Sequence, residues 1–390
     1  MKKAIQSLIN HSVPTQYSRE DWKLATISHF SPYFRRPAQL RRHIDIFMME
    51  LRNLARITPH PDHLLLLEWC LALYRRVLRV DRTGAYGMLH RLFDNMEASN
   101  ARWLNMFHTT VTLDPQSAPQ DVAFQLFETI DGVAEGCFKP QLQILYEFAV
   151  REEMGTWPIS TSTIDFGTLV AKFPTPYKNQ VPILLNDPDL KIGVNQWRNI
   201  AAHKSYKLVG PKTIEVTYGR GNVKTTRLGI QRLSKVSRWL LMTHQTVRLA
   251  NTIIFIEHMK EIVALGKPSV SRTFSASVVQ VGHNLSTVGF EVVDWKEATK
   301  DGLLIVKDRL NRDPTEALVH ASQQLVSLSI GVLADVATRK RIKRVGVQLL
   351  LPNDESYGAG FVAVSTADAF SLRKISLACY MKEIEWRRDF

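Results

Sequence analysis

Three side chains suited to phosphate chemistry lie close together in the sequence, at Arg198, Asn199 and His203. An arginine can hold two phosphate oxygens at once, and a histidine titrates near neutral pH and can transfer a proton. Cleavage of RNA without a metal needs both functions, because the 2′-hydroxyl must lose a proton and the phosphorane-like transition state must be held by positive charge. Asn199 and His203 are four residues apart, so in a helix they share a face, and the amide can orient the imidazole or hold the phosphate.

The asparagine makes this pattern specific. An arginine and a histidine separated by four to six residues recur at Arg36/His43, Arg56/His63, Arg102/His108 and Arg238/His244. The form with Asn directly after Arg occurs once, and its chance appearance in a chain of this length is on the order of one in a hundred. The structural alternative is a helix end at which His203 caps backbone carbonyls and Arg198 is a solvated charge.

The elements that must position these residues are predicted to be mainly helical. Apolar residues repeat at helical spacing over 122–153, and Pro140 is expected to kink this run or divide it into two helices. The motif lies in a short predicted helix, 192–203, after a turn and plausible helix start at 186–188. Alternating apolar residues before the turn at 219–222 then predict a β-hairpin. Further helices are predicted over 166–185 and 230–265.

The remainder of the chain divides into a helical and a mixed part. Helical spacing continues over about 19–107, and the polar, Pro-containing stretch 112–120 indicates a linker. In the C-terminal part, one helix at 314–338 and five strands predict an α+β domain with an antiparallel sheet. The strands are expected at 275–281, 287–293, 303–306, 345–351 and 361–365. The fold class is therefore expected to be mixed and mainly α-helical, and the expected domains are 1–118, 119–267 and 268–390.

The composition favours a nucleic-acid partner. Lys and Arg number 50 against 37 Asp and Glu, which gives a formal net charge of +13, and a polyanion is expected to bind. Three widely spaced cysteines argue against disulfides and structural zinc and favour a reducing cytosol. The N-terminus lacks the apolar segment of a signal peptide, and the longest apolar run, 63–74, is too short to cross a bilayer. A cytoplasmic protein without a membrane partner is therefore expected.

The motif also carries a resemblance to a known family. RNIAAH at 198–203, preceded by LNDPDLKIGVNQW and followed by the hairpin, resembles the R-N-x-x-x-H motif of the HEPN superfamily. The resemblance covers roughly 121–266, including GCFKP at 136–140, which is similar to part of the first bundle helix in several such proteins.

The resemblance implies a helical bundle with a β-hairpin insertion that dimerises to form a composite site. It implies that His203 and Arg198 cleave RNA to a 2′,3′-cyclic phosphate and a 5′-hydroxyl, with Asn199 as the polar residue beside the arginine. The class resembles prokaryotic toxins and antiphage defence effectors. A homodimer or higher homo-oligomer, and regulation by a protein or phage-derived trigger, are therefore expected, with the C-terminal domain sensing or binding. Neither a metal nor a cofactor is expected.

Two groups of basic residues are candidates for RNA binding. The hairpin region carries Lys204, Lys207, Arg220 and Lys224 for phosphates, and Tyr206 can stack on a base. A second cluster comprises Arg339, Lys340, Arg341, Lys343 and Arg344. The structural alternatives are a solvated β-ribbon with basic edges and a loop of solvating charge.

Two other functions remain open. Asp294 and Lys296 resemble the D-x-K half of a metal-dependent nuclease site, although no carboxylate occurs between Glu261 and Glu291 to complete it. A protein that binds nucleic acid or acts as a scaffold without catalysis is the alternative from another class. The sequence contains no Walker loop, GxSxG elbow or HExxH motif, so ATPase, serine hydrolase and zinc hydrolase functions have no support.

Overall fold

The structure is a computed structural model, and it describes residues 19–109, 118–158, 164–219, 221–266, 274–287, 289–372 and 374–388. The fold is mixed and 65% helical, with two small sheets, as the sequence predicts. The chain forms two compact units. The described part of the first is 23–266, and the described parts of the second are 274–388 and the short segment 19–22. The domain boundary predicted at 118 falls inside the first unit, and the one predicted at 267 falls between the two units.

Twelve α-helices are described in the chain up to residue 266, besides short 3₁₀ helices at Ser31–Tyr33 and Pro182–Leu184, and they lie within the runs whose apolar spacing predicts helices. They are α1 Arg19–Phe30, α2 Pro37–Arg42, α3 Ile44–Ile57, α4 Pro61–Val80, α5 Arg82–Thr109, α6 Pro119–Asp131, α7 Lys139–Met154, α8 Phe166–Lys172, α9 Thr175–Gln180, α10 Val194–Ala202, α11 Ile230–Glu257 and α12 Met259–Val263. The central helix is α11, which packs against α4, α6 and α7 and buries residues along most of its length. Because α4 comes from the first third of the chain, this core joins both sides of the predicted linker.

The long run predicted over 122–153 is divided by a π-helical turn, Gly132–Phe138, which connects α6 to α7. Pro140 stands in the first turn of α7. Proline removes a backbone donor and clashes with the carbonyl four residues earlier, and a π turn is one way in which a helix accommodates such a change. The predicted interruption at Pro140 is therefore present as a π turn.

The hairpin after the motif belongs to a three-stranded antiparallel sheet in the order β1 Tyr206–Leu208, β2 Thr213–Tyr218 and β3 Lys224–Gly229. Ile214 and Val216 on β2 are fully buried, and β2 packs against α10. The predicted alternation therefore gives the sheet an apolar face, and that face supports the motif helix.

The second unit has a five-stranded sheet, ordered as in the sequence: β4 Phe290–Ala298, β5 Asp301–Asp308, β6 Arg344–Leu350, β7 Ser356–Ala363 and β8 Glu385–Arg387. Its helices are α13 Phe274–Thr287, α14 Pro314–Ser322, α15 Leu325–Ala334, α16 Val336–Arg341, α17 Val364–Ser371 and α18 Leu377–Lys382. The expectation of a wholly antiparallel sheet is wrong, because β5 and β6 pair in parallel. The helices α14 to α16 form the crossover that a parallel pair requires. They also replace the single helix predicted at 314–338.

The strand predicted at 275–281 is wrong, because this segment lies in α13. Phe274, Val281 and Leu285 are buried in one core with spacings of seven and four, which fit a helix rather than a strand. The backbone N–H of Phe274 donates to Asp335 Oδ2 at 3.1 Å. A short apolar run fits both a helix and a strand. Which of the two forms depends on the elements it packs against.

The stretch Pro314–Ala334 is, on length and composition alone, apolar enough to cross a membrane. Half of that stretch is buried within the protein, and Leu318, Leu325 and Leu328 belong to the core of the second unit. Core helices of soluble proteins have this character, so the stretch is weak evidence for a membrane.

Candidate functional site

The segment before the motif helix is organised around one buried carboxylate, that of Asp187. Its two oxygens accept hydrogen bonds from the backbone N–H groups of Asp189, Leu190 and Ile192 at 3.1, 2.6 and 2.8 Å. The indole N–H of Trp197 donates to the same carboxylate at 3.1 Å. The loop is thus tied to the first turn of α10. The turn predicted at 186–188 is part of this loop, but the helix begins only at Val194.

The helix α10 buries one side and presents the motif on the other. Trp197, Ile200 and Ala201 are buried, whereas Arg198 and Asn199 are partly exposed. Three- and four-residue spacing of the apolar residues therefore fixes the direction in which the motif faces.

The helix ends at Ala202, and the exposed His203 is its C-cap residue. Lys204 adopts a left-handed conformation with φ of 52°, and its N–H donates to Ala201 O at 3.3 Å. The N–H of Ser205 donates to Ile200 O at 2.9 Å, which completes a Schellman closure. Backbone groups therefore close the helix end, and the His203 side chain is exposed.

The guanidinium group of Arg198 has a neighbour at each of its three nitrogens. Nη1 donates to Asn199 Oδ1 at 3.2 Å, and Nη2 lies 3.0 Å from Glu135 Oε2. Nε is buried and has no hydrogen-bond partner, and the Asp131 Oδ1 atom lies 3.8 Å from it. Arg198 is therefore an ion-paired residue rather than the solvated charge of the structural alternative. The Asn199 carbonyl oxygen therefore accepts from this arginine.

These two carboxylates belong to an acidic face of the α6 helix and the π turn, which also includes Glu128. Lys204 forms an ion pair with Glu128, and its ammonium lies 5.0 Å from the centre of the Phe124 ring. Burial raises the pKa of the Asp131 carboxyl, and Arg198 opposes that shift. The hydrogen bond with Glu128 raises the pKa of Lys204.

Several of the basic residues predicted to bind RNA near the hairpin are engaged within the protein. Lys207 pairs with Glu215 at 2.8 Å, and the neighbouring Arg227 pairs with the same carboxylate at 2.8 Å. The ring of Tyr206 is stacked on Phe127 at 3.9 Å between centroids, so one of its faces is covered. Lys224 is exposed, and the predicted Arg220 lies outside the described residues.

The second basic cluster lies at the end of α16 and the start of β6. Arg344 contacts Asp301 and Glu385 at 2.5 and 2.9 Å. Arg341 pairs with Glu297, and Lys343 Nζ donates to the carbonyl oxygen of Arg339 at 2.9 Å. Arg339, Lys340 and Lys343 are exposed. Part of this cluster therefore stabilises the second unit, and part of it faces solvent.

The histidines of the four Arg–His pairs that lack the asparagine are buried or partly buried, where their side chains are described. His244 is fully buried against Trp103, and burial lowers its pKa well below the usual value. Burial lowers the pKa of His63 to about 4, and its Nε2 lies 3.3 Å from Thr243 Oγ1. Burial also lowers the pKa of the partly exposed His43, whereas the side chain of His108 lies outside the description.

Asp294 and Lys296, the residues of the D-x-K alternative, are both exposed on β4. The Asp294 carboxylate accepts from the N–H of Trp295 at 2.8 Å. Within the described ranges, no group of three or more His, Cys, Asp or Glu side chains is placed to hold a metal.

Sequence reasoning missed Asp131, Glu135 and Asp187 as parts of the site. Glu128, Asp131 and Glu135 follow one another at spacings of three and four in a helical run, which is a visible acidic stripe. The acidic stripe is visible in the sequence. Its contact with Arg198 is not, because Glu135 and Arg198 are far apart along the chain.

No known protein family matches this chain, and no curated protein or solved structure shows significant similarity to it.

Proposed function

We propose that the chain is a metal-independent endoribonuclease of HEPN type, with Arg198, Asn199 and His203 as its catalytic residues. The observation that carries this proposal is their arrangement on α10. Arg198 donates to Asn199 at 3.2 Å, and His203 is exposed at the C-terminal end of the same helix. A phosphate clamp and a proton-transfer group are therefore presented by one short element.

In the proposed reaction, the His203 imidazole removes the proton of a substrate 2′-hydroxyl, and the 2′-oxygen attacks the adjacent phosphorus. The bond from phosphorus to the 5′-oxygen breaks, and that oxygen takes a proton, which leaves a 2′,3′-cyclic phosphate and a 5′-hydroxyl. Arg198 stabilises the charge that accumulates on the phosphoryl oxygens. Asn199 supplies amide N–H donors to the same phosphate, since its carbonyl already accepts from Arg198.

The reaction needs a base and an acid, whereas the motif supplies one histidine per chain. A second copy of the chain provides the second imidazole if the two motif helices meet across a two-fold axis. The proposed partners are therefore RNA and a second copy.

The biological role we propose is that of a cytoplasmic toxin or antiphage defence effector. It rests on the motif's resemblance to that class. Such an enzyme is held inactive until a regulatory protein or phage-derived trigger acts, and the second unit is the proposed place for sensing or binding.

RNA phosphates are proposed to bind the basic residues beside the hairpin and at the end of α16. Lys224, Arg339, Lys340 and Lys343 are exposed and can make such contacts directly. Lys204, Lys207, Arg341 and Arg344 must first exchange a carboxylate for the phosphate.

One observation favours the non-catalytic alternative. The ion pairs of Arg198 with Glu135 and Asp131 tie α10 to the helix beside it, which a purely structural arginine would also do. A basic protein that binds nucleic acid without cutting it would retain the same contacts.

A single assay distinguishes the metal-independent ribonuclease, the non-catalytic binding protein and the metal-dependent nuclease. Purified protein is incubated with total RNA in excess EDTA, and the ends of the products are analysed. We expect cleavage with cyclic phosphate and 5′-hydroxyl ends, because proton transfer and fixed charge need no metal. A substrate with a 2′-deoxy sugar at the cut position should bind and resist cleavage, since phosphate contacts supply most of the affinity.

Variants identify the residues responsible. Arg198→Ala and His203→Ala should each abolish cleavage in folded protein, whereas His43→Ala should not, because its Arg36 partner lacks the following asparagine. Binding without cleavage would support the non-catalytic function. Loss of activity in EDTA, or equal cleavage of DNA, would direct attention to Asp294 and Lys296.

A further inference from the structure

We propose that Gln196 is a substrate-binding residue whose side-chain amide donates to the RNA phosphate next to the one that is cleaved. The inference rests on the proposed function, because it extends the same site by one residue. Gln196 lies in the first turn of α10, outside the R-N-x-x-x-H motif. The hairpin that follows the motif holds its side chain in place.

Gln196 shares a face of α10 with two of the motif residues, Asn199 and His203. It precedes them by three and seven residues, and 3.6 residues per turn places the three side chains within about 60° of one another around the helix axis. Gln196 and Asn199 are partly exposed, and His203 is exposed. The three residues therefore form one polar stripe, in which Gln196 lies about one helical turn before Asn199.

The hairpin binds one end of the Gln196 side chain. The backbone N–H of Gly219, which follows β2, donates to Gln196 Oε1 at 3.1 Å. A backbone N–H can only donate, so the atom that it meets must be the amide oxygen, and this contact distinguishes the two ends of the side chain. The Nε2 end carries two N–H donors. Within the described part of the chain, no acceptor lies at hydrogen-bonding distance from it.

Gly219 holds its N–H in a direction that the turn itself requires. Its φ of +106° lies where L side chains are rarely found, and a Cβ there would lie 2.5 Å from the backbone oxygen of Asn222. The turn geometry therefore requires glycine and fixes the donor that Gln196 accepts. A side chain that is held in advance loses less rotational freedom when it binds a ligand.

Asn199 and Gln196 present the same chemistry to solvent. The oxygen of Asn199 accepts from Arg198 Nη1 at 3.2 Å, and the oxygen of Gln196 accepts from Gly219. In both residues the amide N–H donors are thus left for a substrate. Their Cβ atoms are roughly 5–6 Å apart at this spacing, so the two amides can reach two successive phosphates of one strand. A phosphate oxygen is an ionised acceptor, which strengthens each such bond.

The first experiment measures the dissociation constant of the full chain for the non-cleavable 2′-deoxy RNA analogue. Gln196→Glu keeps an oxygen for the Gly219 N–H and replaces the amide donors by a negative charge. The dissociation constant should rise roughly tenfold or more, because a bond to an ionised oxygen is lost and a like charge is added. Hydrogen exchange over β2 and β3 should stay at the wild-type rate. A residue that only holds the hairpin would leave binding unchanged.

Two controls add the same charge elsewhere. Asn195→Asp places it on the neighbouring residue of α10, and Gln231→Glu places it on an exposed residue in the first turn of α11. At physiological salt, a charge that does not contact the phosphate is largely screened. The dissociation constant should therefore change by less than about threefold in Asn195→Asp and less than about twofold in Gln231→Glu.

A thermodynamic cycle then identifies the phosphate. The analogue is made with one uncharged methylphosphonate in place of the phosphate on either side of the cut position. In the wild type, one of these two changes should weaken binding roughly tenfold. Gln196→Met removes both polar ends of the side chain at similar size, so the same change should weaken its binding by less than about twofold. Any loosening of the hairpin affects both analogues equally and cancels in the cycle.

Each result supports or overturns the contact. Equal dissociation constants for the wild type and Gln196→Glu overturn it, and so does an equal loss in Asn195→Asp, since charge repulsion alone would then explain the effect. Additive effects at both phosphates in the cycle also overturn it. A wild type that binds the analogue but cuts no RNA overturns the ribonuclease function, while the cycle still decides on Gln196. A wild type that does not bind the analogue overturns both.

Discussion

At the scale of residues, the motif histidine differs from the other described histidines of the competing pairs in its exposure. His203 is exposed at a helix end, whereas His63 and His244 are buried in the first unit. Burial disfavours the charged imidazole, so these two residues remain neutral in the folded protein at neutral pH. Their protonation therefore lowers the stability of the fold in acid, and they have no part in the proposed chemistry.

We predict that His63 makes the first unit less stable as the pH falls. Its pKa is about 4 in the folded protein and near 6.5 when unfolded, so between these values only the unfolded chain binds the proton. Stability is therefore complete above about pH 6.5 and declines toward pH 4, by roughly 2 kcal/mol between pH 7 and pH 5. Urea unfolding of His63→Gln at both pH values should show a smaller decline than the wild type.

An equal decline in His63→Gln and the wild type would contradict the linkage.

At the scale of elements, the short motif helix depends on its neighbours. It has nine residues, and an isolated helix of that length is marginal in water. The Asp187 loop binds its first turn, β2 packs beside it, and the Schellman closure ends it after His203. The precision of the site is therefore set by tertiary contacts rather than by helix propensity.

We predict that Asp187→Ala lowers stability by about 3 kcal/mol and also reduces RNA cleavage. The change leaves backbone N–H groups of Leu190 and Ile192 and the Trp197 indole without their acceptor in a buried place. Hydrogen exchange measured by mass spectrometry should increase over 187–203. The control Asp189→Asn alters an exposed carboxylate of the same loop, whose pairing with Arg232 is long at 3.6 Å, and it should cost about 0.5 kcal/mol or less.

Exchange over 187–203 that matches the wild type in Asp187→Ala would contradict this account. A loss of cleavage without faster exchange would also contradict it, because Asp187 would then act on the chemistry by another route.

The elements that the sequence predicts well are those whose signals are local. The motif helix, the hairpin with its alternating Ile214 and Val216, and the interruption near Pro140 depend on neighbouring residues, and the structure has all three. A short apolar run fits both periods, so the sequence predicts a strand over 275–281 where the structure has a helix. The carboxylates facing Arg198 were missed for a related reason, since partners distant along the chain leave no local signal.

At the scale of the whole molecule, the net charge of +13 favours a polyanionic partner, but the charge is not spread evenly around the proposed site. Arg198, Lys204 and Lys139 are each matched by a carboxylate of the acidic face. If the proposed partner is RNA, its attraction then comes mainly from exposed residues such as Lys224 and Arg339. In the proposed function, RNA would therefore be captured by the distributed basic charge, whereas the proposed chemical step would occur at a site whose charges nearly balance.

The last prediction concerns assembly, and it follows from the single motif histidine of each chain. If base and acid come from two copies, a dimer that contains one His203→Ala chain lacks one of the two imidazoles and should be inactive. Wild-type and His203→Ala chains are mixed in equal amounts under conditions where subunits exchange freely. Random pairing gives about a quarter wild-type dimers, so about a quarter of the activity should remain. Chains that act alone would keep about half, and a value near half would refute the composite site. Sedimentation under the assay conditions should show the dimer, and a monomer that cleaves RNA at the full rate would contradict the same prediction.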